Sequence, residues 1–398
     1  MDKIYKVAIV GGGASGLFCA LELLTGKNSL SADDFILLEK NDRVGKKIVA
    51  TGNGQCNITN SSIFRENFYG DEDFLNAFYK KLKEFSLEDY LKDYGIYLKT
   101  DQEGRKYPIS MSANSFLDII LEYLKEKSCN IVTKEKIISI KKQNDIFVLN
   151  SENNIYKAQN VVLCVGGSCG SQFGTDGTSY SLALNFNHKL SKLYPSLVQL
   201  KTDTTKIKSL KGIKEKAKVT AISSGKKLIS SVGDLLFTEY GVSGSTIFKI
   251  SSCIVDKDDK NLLIEFLPEL SLEEITDMLE KRKKLKIYDG EKIFWGLINK
   301  RLSSVIYKTA KSDSAKDLAI AVKNFNLKVV GTLGFNYAQV TKGGIVATDV
   351  NPFTMQSKKQ KGIYIAGEML NVDGDCGGYN LTFAISSGVF CAKSIKEV

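Results

Sequence analysis

Lys6-Val7-Ala8-Ile9-Val10-Gly11-Gly12-Gly13-Ala14-Ser15-Gly16, continued by a helical stretch from Leu17 to about Leu24 and by Phe35-Ile36-Leu37-Leu38-Glu39-Lys40, decides the fold. The apolar, β-branched run before Gly11 predicts a strand. Glycines then occupy the first, third and sixth places of G-x-G-x-x-G. Gly11 makes the tight turn, Gly13 lets the backbone approach a pyrophosphate, and Gly16 lets the helix pack closely on its strand. The helix entered through Ala14 and Ser15 points its first N–H groups and positive dipole end at the phosphates. The second strand delivers Glu39, beside Lys40, about 20 residues after the glycines, where a carboxylate can accept from a ribose. The complete βαβ setting makes this a nucleotide site.

The next stretch, 41–60, carries three glycines, small hydroxyl residues and amides, and predicts a functional loop. Its backbone at Gly45, Gly52, Asn53, Gly54, Cys56 and Asn57, with Lys46 or Lys47, is placed to reach the phosphates or a redox ring. Helical spacing of apolar residues follows from Asp73 to Tyr94, and a second helix from about Ala113 to Lys127. Four short alternating segments between Ile131 and Ala158 predict a small antiparallel sheet. Asn160 to Val165 then predicts a buried parallel strand that ends on Gly166-Gly167 beside the nucleotide. From about Ser191 to Glu265 lysine-rich alternation suggests a β subdomain. Helical patterns run from Pro268 to about Phe325, with a basic run at Lys281-Arg282-Lys283-Lys284 that is expected to be a solvated helix face or turn. The last sixty residues return to glycine and β-branched residues. Lys361 to Glu368 forms another strand ending in Gly367 and Glu368, and a terminal helix starts after Gly377-Gly378-Tyr379-Asn380. The fold class is therefore α/β, with a discontinuous nucleotide domain (1–190 and 337–398) interrupted by a β subdomain (191–267) and a small helical one (268–336).

The chain has 398 residues, 43% of them hydrophobic and 25% charged, which is the composition of a soluble globular protein with a large core. No apolar run reaches the roughly 18 residues of a membrane span, and the start lacks a signal peptide's basic region and cleavage site, so a cytoplasmic location is expected. Eight scattered cysteines without a C-x-x-C pair, and one histidine, His188, suggest neither a disulfide framework nor a metal site. His188 is read as structural. The net charge of +10 fits a polyanionic partner such as RNA, or a lysine-rich coding bias, since only five of the basic residues are arginine.

Three strand-to-glycine elements, at Gly11–Gly16, Gly166-Gly167 and Gly367-Glu368, converge on one sheet edge, more than a nicotinamide fingerprint requires. A flavin dinucleotide accounts for the surplus. Its pyrophosphate is expected on the first helix, its adenosine ribose on Glu39 and its ribityl chain on Glu368. The N–H groups at Gly377, Gly378 and Tyr379 would face the pyrimidine end of the ring, where a helix N-terminus favours the charge of a reduced flavin. No second G-x-G-x-x-G with a ribose reader is visible, so NAD(P)H is expected to visit the flavin transiently.

The glycine motif, Gly45-Lys46-Lys47 with Thr51 to Asn60, Val165-Gly166-Gly167, Phe237-Thr238-Glu239-Tyr240-Gly241-Val242-Ser243-Gly244, Val340-Thr341-Lys342-Gly343-Gly344, and Ile365-Ala366-Gly367-Glu368 through Gly377 to Asn380 together resemble the BaiN/YhiN-like flavoproteins, also known as the aminoacetone oxidase family. The resemblance runs in order along almost the whole chain. It implies FAD in a glutathione-reductase-like Rossmann domain, with an inserted β-barrel and a small helical subdomain. One position departs: Gln55 stands where relatives usually carry arginine before the cysteine, which leaves any role of that charge unsupported here. The resemblance implies amine oxidation, reduction in bile-acid metabolism, or reduction of a uridine of large-subunit ribosomal RNA to dihydrouridine. The basic charge favours the last. That reaction takes a hydride from flavin N5 to uracil C6 and a proton to C5, for which Cys56 is the first candidate acid and Cys376 the second. A small-molecule oxidase or reductase, or a non-catalytic FAD-binding RNA-assembly factor, are the competing expectations.

Overall fold

A computed structural model describes residues 3–397. The chain forms two compact units, one from the residues up to Leu193 and from Val340 on, the other from Tyr194–Gln339.

The first unit is built on a parallel sheet. Strand Ile4–Val10 sits between Phe35–Leu38 and Ile155–Leu163, with Ile131–Val132 beyond Phe35–Leu38 and Ile363–Ile365 beside Ile155–Leu163. Val7 to Val10 and Phe35 to Leu38 are buried throughout, as strands covered by structure on both faces must be. The front half of Ile155–Leu163 also pairs antiparallel with Ile146–Ser151, which pairs in turn with Ile137–Gln143. Two expectations change here. Ile155 to Leu163 is one strand rather than two, because Gln159 and Asn160 are polar but not chain-breaking. Ile131–Val132 joins the parallel sheet beside Leu37 and Leu38 instead of the antiparallel group.

The helical stretch 73–94 resolves into two helices, Glu72–Lys83 and Leu87–Lys92. Asp71 and Ser86 cap them through side-chain bonds to the N–H groups of Phe74 and Asp89, so the break comes from a serine that competes for the backbone. Phe78 and Phe85 of this layer pack on Phe383 and Phe390 of the terminal helix, Tyr379–Lys396. That helix crosses the first helix, Ala14–Leu24, so closely that a Cβ on Gly388 would stand 2.2 Å from Ser15 O. The far ends are tied by Lys396, whose ammonium donates to Glu22 Oε1 and O at 2.8 Å and to Thr25 O at 2.9 Å, with both charged side chains at most 7% exposed.

The second unit is a closed antiparallel barrel of Leu200–Thr202, Gly241–Ser243, Lys226–Phe237, Lys214–Ser223, Lys260–Phe266 and Phe325–Thr332, in that order around the barrel. Ala217, Val219, Leu235, Phe237, Leu262 and Ile264 are buried in it. Strand Phe325–Thr332 corrects the division at 268–336: Phe325, Leu327 and Val329 are buried while Asn326, Lys328 and Val330 are exposed, the period-two alternation of a strand. The helices of this segment are Leu272–Lys283, started by a capping box between Ser271 and Glu274, Lys300–Thr309 and Ala315–Lys323.

Candidate cofactor and active site

The glycine turn has the geometry its sequence demands. Gly11 has φ +106°, and a Cβ there would lie 2.4 Å from Cys164 O; a Cβ on Gly16 would lie 1.9 Å from Gly11 O. A Cβ on Gly13 would meet nothing within 4 Å, so the backbone at the helix entrance faces open space. Gly13 caps the first helix without a side-chain bond, and no acidic residue stands in the first turn. The helix therefore keeps its positive end for an anion. Ser15 is buried against Gly367, where a Cβ would touch its Oγ, so its side chain packs rather than reaching outward.

Glu39 is buried and pre-oriented. Its Oε2 accepts the Gly12 N–H at 2.7 Å, and its Oε1 accepts the N–H and side-chain amide of Asn41 at 2.8 and 2.7 Å. A carboxylate offers about four lone-pair sites, so three bonds leave one direction for a ribose hydroxyl. Asn41, whose amide also donates to Phe173 O at 3.1 Å, had no signal in the sequence.

Lys47 and Glu368 meet. The ammonium lies 2.5 Å from Glu368 Oε2, with both side chains about a quarter exposed or less. Glu368 Oε1 accepts the Thr341 N–H at 2.9 Å. Thr341 Oγ1 in turn accepts the N–H groups of Ser168 and Cys169 at 2.8 and 3.0 Å. A Cβ on Gly167 would collide with Thr341 Oγ1 at 2.4 Å, so this glycine exists to let the network close; Gly166 before it has φ +76°. Thr341 is thus the linchpin that reading the residues singly missed, although it stands inside a quoted motif. Lys40 and Lys46 are turned to Asp176, at 3.3 Å, and Asp42, at 2.5 Å. The latter is a local surface pair.

The 41–60 stretch is more ordered than a loop: Gly45, with φ +72°, starts a short helix Lys46–Ala50, a 3-10 turn spans Thr51–Gly54, and Thr59–Asn60 forms a strand. Left-handed φ values at Gly52, Asn53, Gly54 and Cys56 bend the chain sharply, and Gly52 to Gln55 are exposed. Backbone outliers of this kind gather at ligand clamps. The turn rests on the start of the terminal helix. With its amide assigned in the orientation that suits both neighbours, Asn57 donates to Thr59 O and accepts the Gly378 N–H, each at 3.1 Å; Asn60 donates to Gly377 O at 3.1 Å, and Tyr379 OH to Ser62 O at 3.1 Å. Gly378, with φ +99°, caps the terminal helix without a side-chain bond, and no acid stands in its first turn. Asn380 is directed elsewhere, both its amide ends bonding Gly374 at 2.8 and 2.9 Å.

Cys56 does not sit as a proton donor should. It is fully buried within the core, its N–H bonded to Thr51 O at 3.0 Å, and burial pushes its thiol up to about 12. The desolvation that keeps it protonated also keeps it from a substrate. Cys376, in the turn before the terminal helix, is half-buried. His188 is buried and bonded to Ser357 Oγ at 2.8 Å. Among the described residues no group of His, Cys, Asp or Glu could hold a metal, and no helix is long and apolar enough to cross a membrane.

The sequence profile of the HI0933-like protein Rossmann domain matches residues 5–394. The chain belongs to this family. It is 30% identical to a 3-dehydro-bile acid Δ(4,6)-reductase of Clostridium scindens, over 98% of this chain and 99% of that one. It is 26% identical to a ribosomal RNA dihydrouridine synthase of Haemophilus influenzae, over the full length of both. Among solved structures, a 3-ketosteroid Δ4-(5α)-dehydrogenase of Rhodococcus jostii aligns over 100% of this chain and 98% of its own, with TM-score 0.50 and 14% identity. That likeness is one of fold. This HI0933-like protein is an FAD-dependent oxidoreductase on a Rossmann-type FAD-binding fold. The open entrance at Gly13, the remaining acceptor direction of Glu39 and the helix start at Gly378, whose first turn holds no acid, are the features such a dinucleotide requires.

Proposed function

We propose that this HI0933-like protein reduces a carbon–carbon double bond conjugated to a carbonyl, and that its substrate is a uridine of large-subunit ribosomal RNA. Both relatives' names describe saturation of such bonds, in uracil and in a steroid dienone. The observation that carries the choice of RNA is where the charge lies. The barrel-bearing unit, Tyr194–Gln339, holds 25 Lys and Arg against 17 Asp and Glu, a net of +8. The FAD-binding unit has 30 against 28, a net of +2. A lysine-rich coding bias alone would spread its excess over both. A polyanion attracts the basic unit and leaves the neutral one to chemistry.

Bound FAD supplies the hydride, and NAD(P)H arriving transiently is the proposed source of its electrons. Gly11, Gly13 and the first helix would hold the pyrophosphate, Glu39 the adenosine ribose, and Glu368, fixed by Lys47 and Thr341, the ribityl chain. The helix start at Gly378 and Tyr379 would favour negative charge at the pyrimidine end of the ring. Of the two thiols weighed as acid, the half-buried Cys376 is the one carried forward. A ribosomal substrate places the protein in the cytoplasm.

A second reading, a small-molecule enone reductase, is favoured by the 30% identity to the bile-acid enzyme. The two separate in one experiment. Anaerobically reduced enzyme is mixed with unmodified 23S-type RNA fragments or with a steroid enone, and flavin reoxidation is followed at 450 nm. Fast reoxidation by the RNA, with dihydrouridine as product, supports the proposal; fast reoxidation by the enone alone overturns it.

A further inference from the structure

The charge of the barrel-bearing unit is not evenly used. On the barrel, Lys211, Lys214 and Lys218 are each held by a carboxylate, of Glu239, Asp234 and Glu265. In 281–301, eight Lys and Arg face two acidic residues, Asp289 and Glu291, a local net of +6. Lys281, Lys284, Lys286, Lys292 and Lys300 are exposed, and among the described residues none of them has a carboxylate within ion-pair distance.

These cations are not arranged as a merely solvated helix face. The helix ends at Lys283, and the following turns fold back through Arg282, whose guanidinium donates to Ile293 O at 3.0 Å and Trp295 O at 2.7 Å and lies 4.5 Å from the centre of the Tyr288 ring. That anchor holds the backbone of Trp295, whose half-buried side chain has Lys300 Nζ 4.5 Å and Lys292 Nζ 5.8 Å from its ring centre. Leu285 and Ile287, 54% and 70% exposed, alternate with the lysines. An aromatic ring flanked by two unpaired cations, in a segment whose other lysines are exposed, is the kind of surface on which proteins hold single-stranded nucleic acid: bases stack on the ring and the backbone follows the charge.

We infer that the 281–301 segment is a docking surface for single-stranded RNA, centred on Trp295. The inference rests on the ribosomal RNA reading and adds where the strand is gripped, on the unit that does not carry the residues assigned to the flavin. Lysines without acidic partners give a strong pull on phosphates, and the ring supplies a contact indifferent to sequence.

Trp295 is the chain's only tryptophan, so its emission reports on this surface alone. The flavin-loaded protein is titrated with a fluorescein-labelled, uridine-rich 12-mer and, separately, with the unlabelled strand under 295 nm excitation. The expected results are quenching of Trp295 emission at the concentration that raises RNA anisotropy, and at least tenfold weaker binding by the triple variant Lys284→Gln, Lys286→Gln, Lys300→Gln. The slope of log affinity against log salt should shrink by about 2 in that variant. These lysines are exposed, so flavin content and circular dichroism should not change. Equal RNA binding by wild type and variant with unaltered tryptophan emission would overturn the docking surface while leaving the RNA substrate standing. Absence of RNA binding by the wild type would overturn both. An emission change with phosphatidylglycerol vesicles but not with RNA would overturn the proposal in favour of a membrane surface.

Discussion

Lys47 Nζ lies 2.5 Å from Glu368 Oε2, joining two glycine-bounded motifs that are 321 residues apart in the chain. The pair makes the expected phosphate-side lysine and the expected ribityl-side carboxylate one unit, held on the backbone by Thr341. Glu368→Gln keeps the shape and removes the charge. Flavin affinity of the apoprotein, measured by absorbance titration, should fall about tenfold, since a charge-assisted bond of 1.5–3 kcal/mol becomes a neutral one. Unchanged affinity would detach Glu368 from the cofactor.

The Glu22–Lys396 pair is a different kind of contact, buried and tying the first helix to the last. Removing one partner strands a buried charge, so Lys396→Met should cost about 3–5 kcal/mol in urea unfolding. Replacing both, with Glu22→Gln added, should recover much of it.

Gly16→Ala should do more than lower stability. Its Cβ would stand 1.9 Å from Gly11 O, so the turn must open, and the purified variant should be colourless where the wild type is yellow. Retention of a full complement of flavin would show that the turn does not set the cofactor's place.

Much of this was legible because it rests on short-range rules. The βαβ unit follows from glycine placement and β-branched runs, and the terminal strand and helix from the same signals. Less was legible where distant segments decide. Thr341 gains its role only because Gly167 and Glu368 arrive from either side. The barrel strand Phe325–Thr332 alternates plainly in sequence, but only closure against Lys260–Phe266 and Leu200–Thr202 gives it a partner. Cys56 shows the limit most clearly, since nothing local says whether a cysteine in a glycine-rich turn points to a ligand or into the core.

That burial gives a chemical prediction. With its thiol pushed up to about 12, Cys56 stays protonated across the physiological range and should resist iodoacetamide at pH 8 until the protein is unfolded, as peptide mass spectrometry would register. Cys56→Ala should leave the reduction rate within about twofold, whereas a loss of 10²-fold or more, the scale of an acid's contribution, would restore it to the mechanism.

His188 sets a pH dependence. Burial holds its imidazole below the ordinary value of 6.5, with Lys359 acting in the same direction and Asp349 against it. In the fold the ring therefore takes up its proton at a lower pH than in the unfolded chain, whose histidine does so as pH falls through about 6.5. Stability should drop below that pH. In His188→Gln the decline in urea midpoint between pH 7.5 and 5.5 should be smaller than in the wild type.

The most direct test of the account is mass spectrometry of nucleosides from large-subunit ribosomal RNA of cells with and without this gene. The account predicts that one dihydrouridine disappears on deletion and returns with the wild-type protein but not with a variant that cannot hold flavin. RNA with an unchanged dihydrouridine content, from cells whose purified protein is yellow and turns over enones, would contradict it.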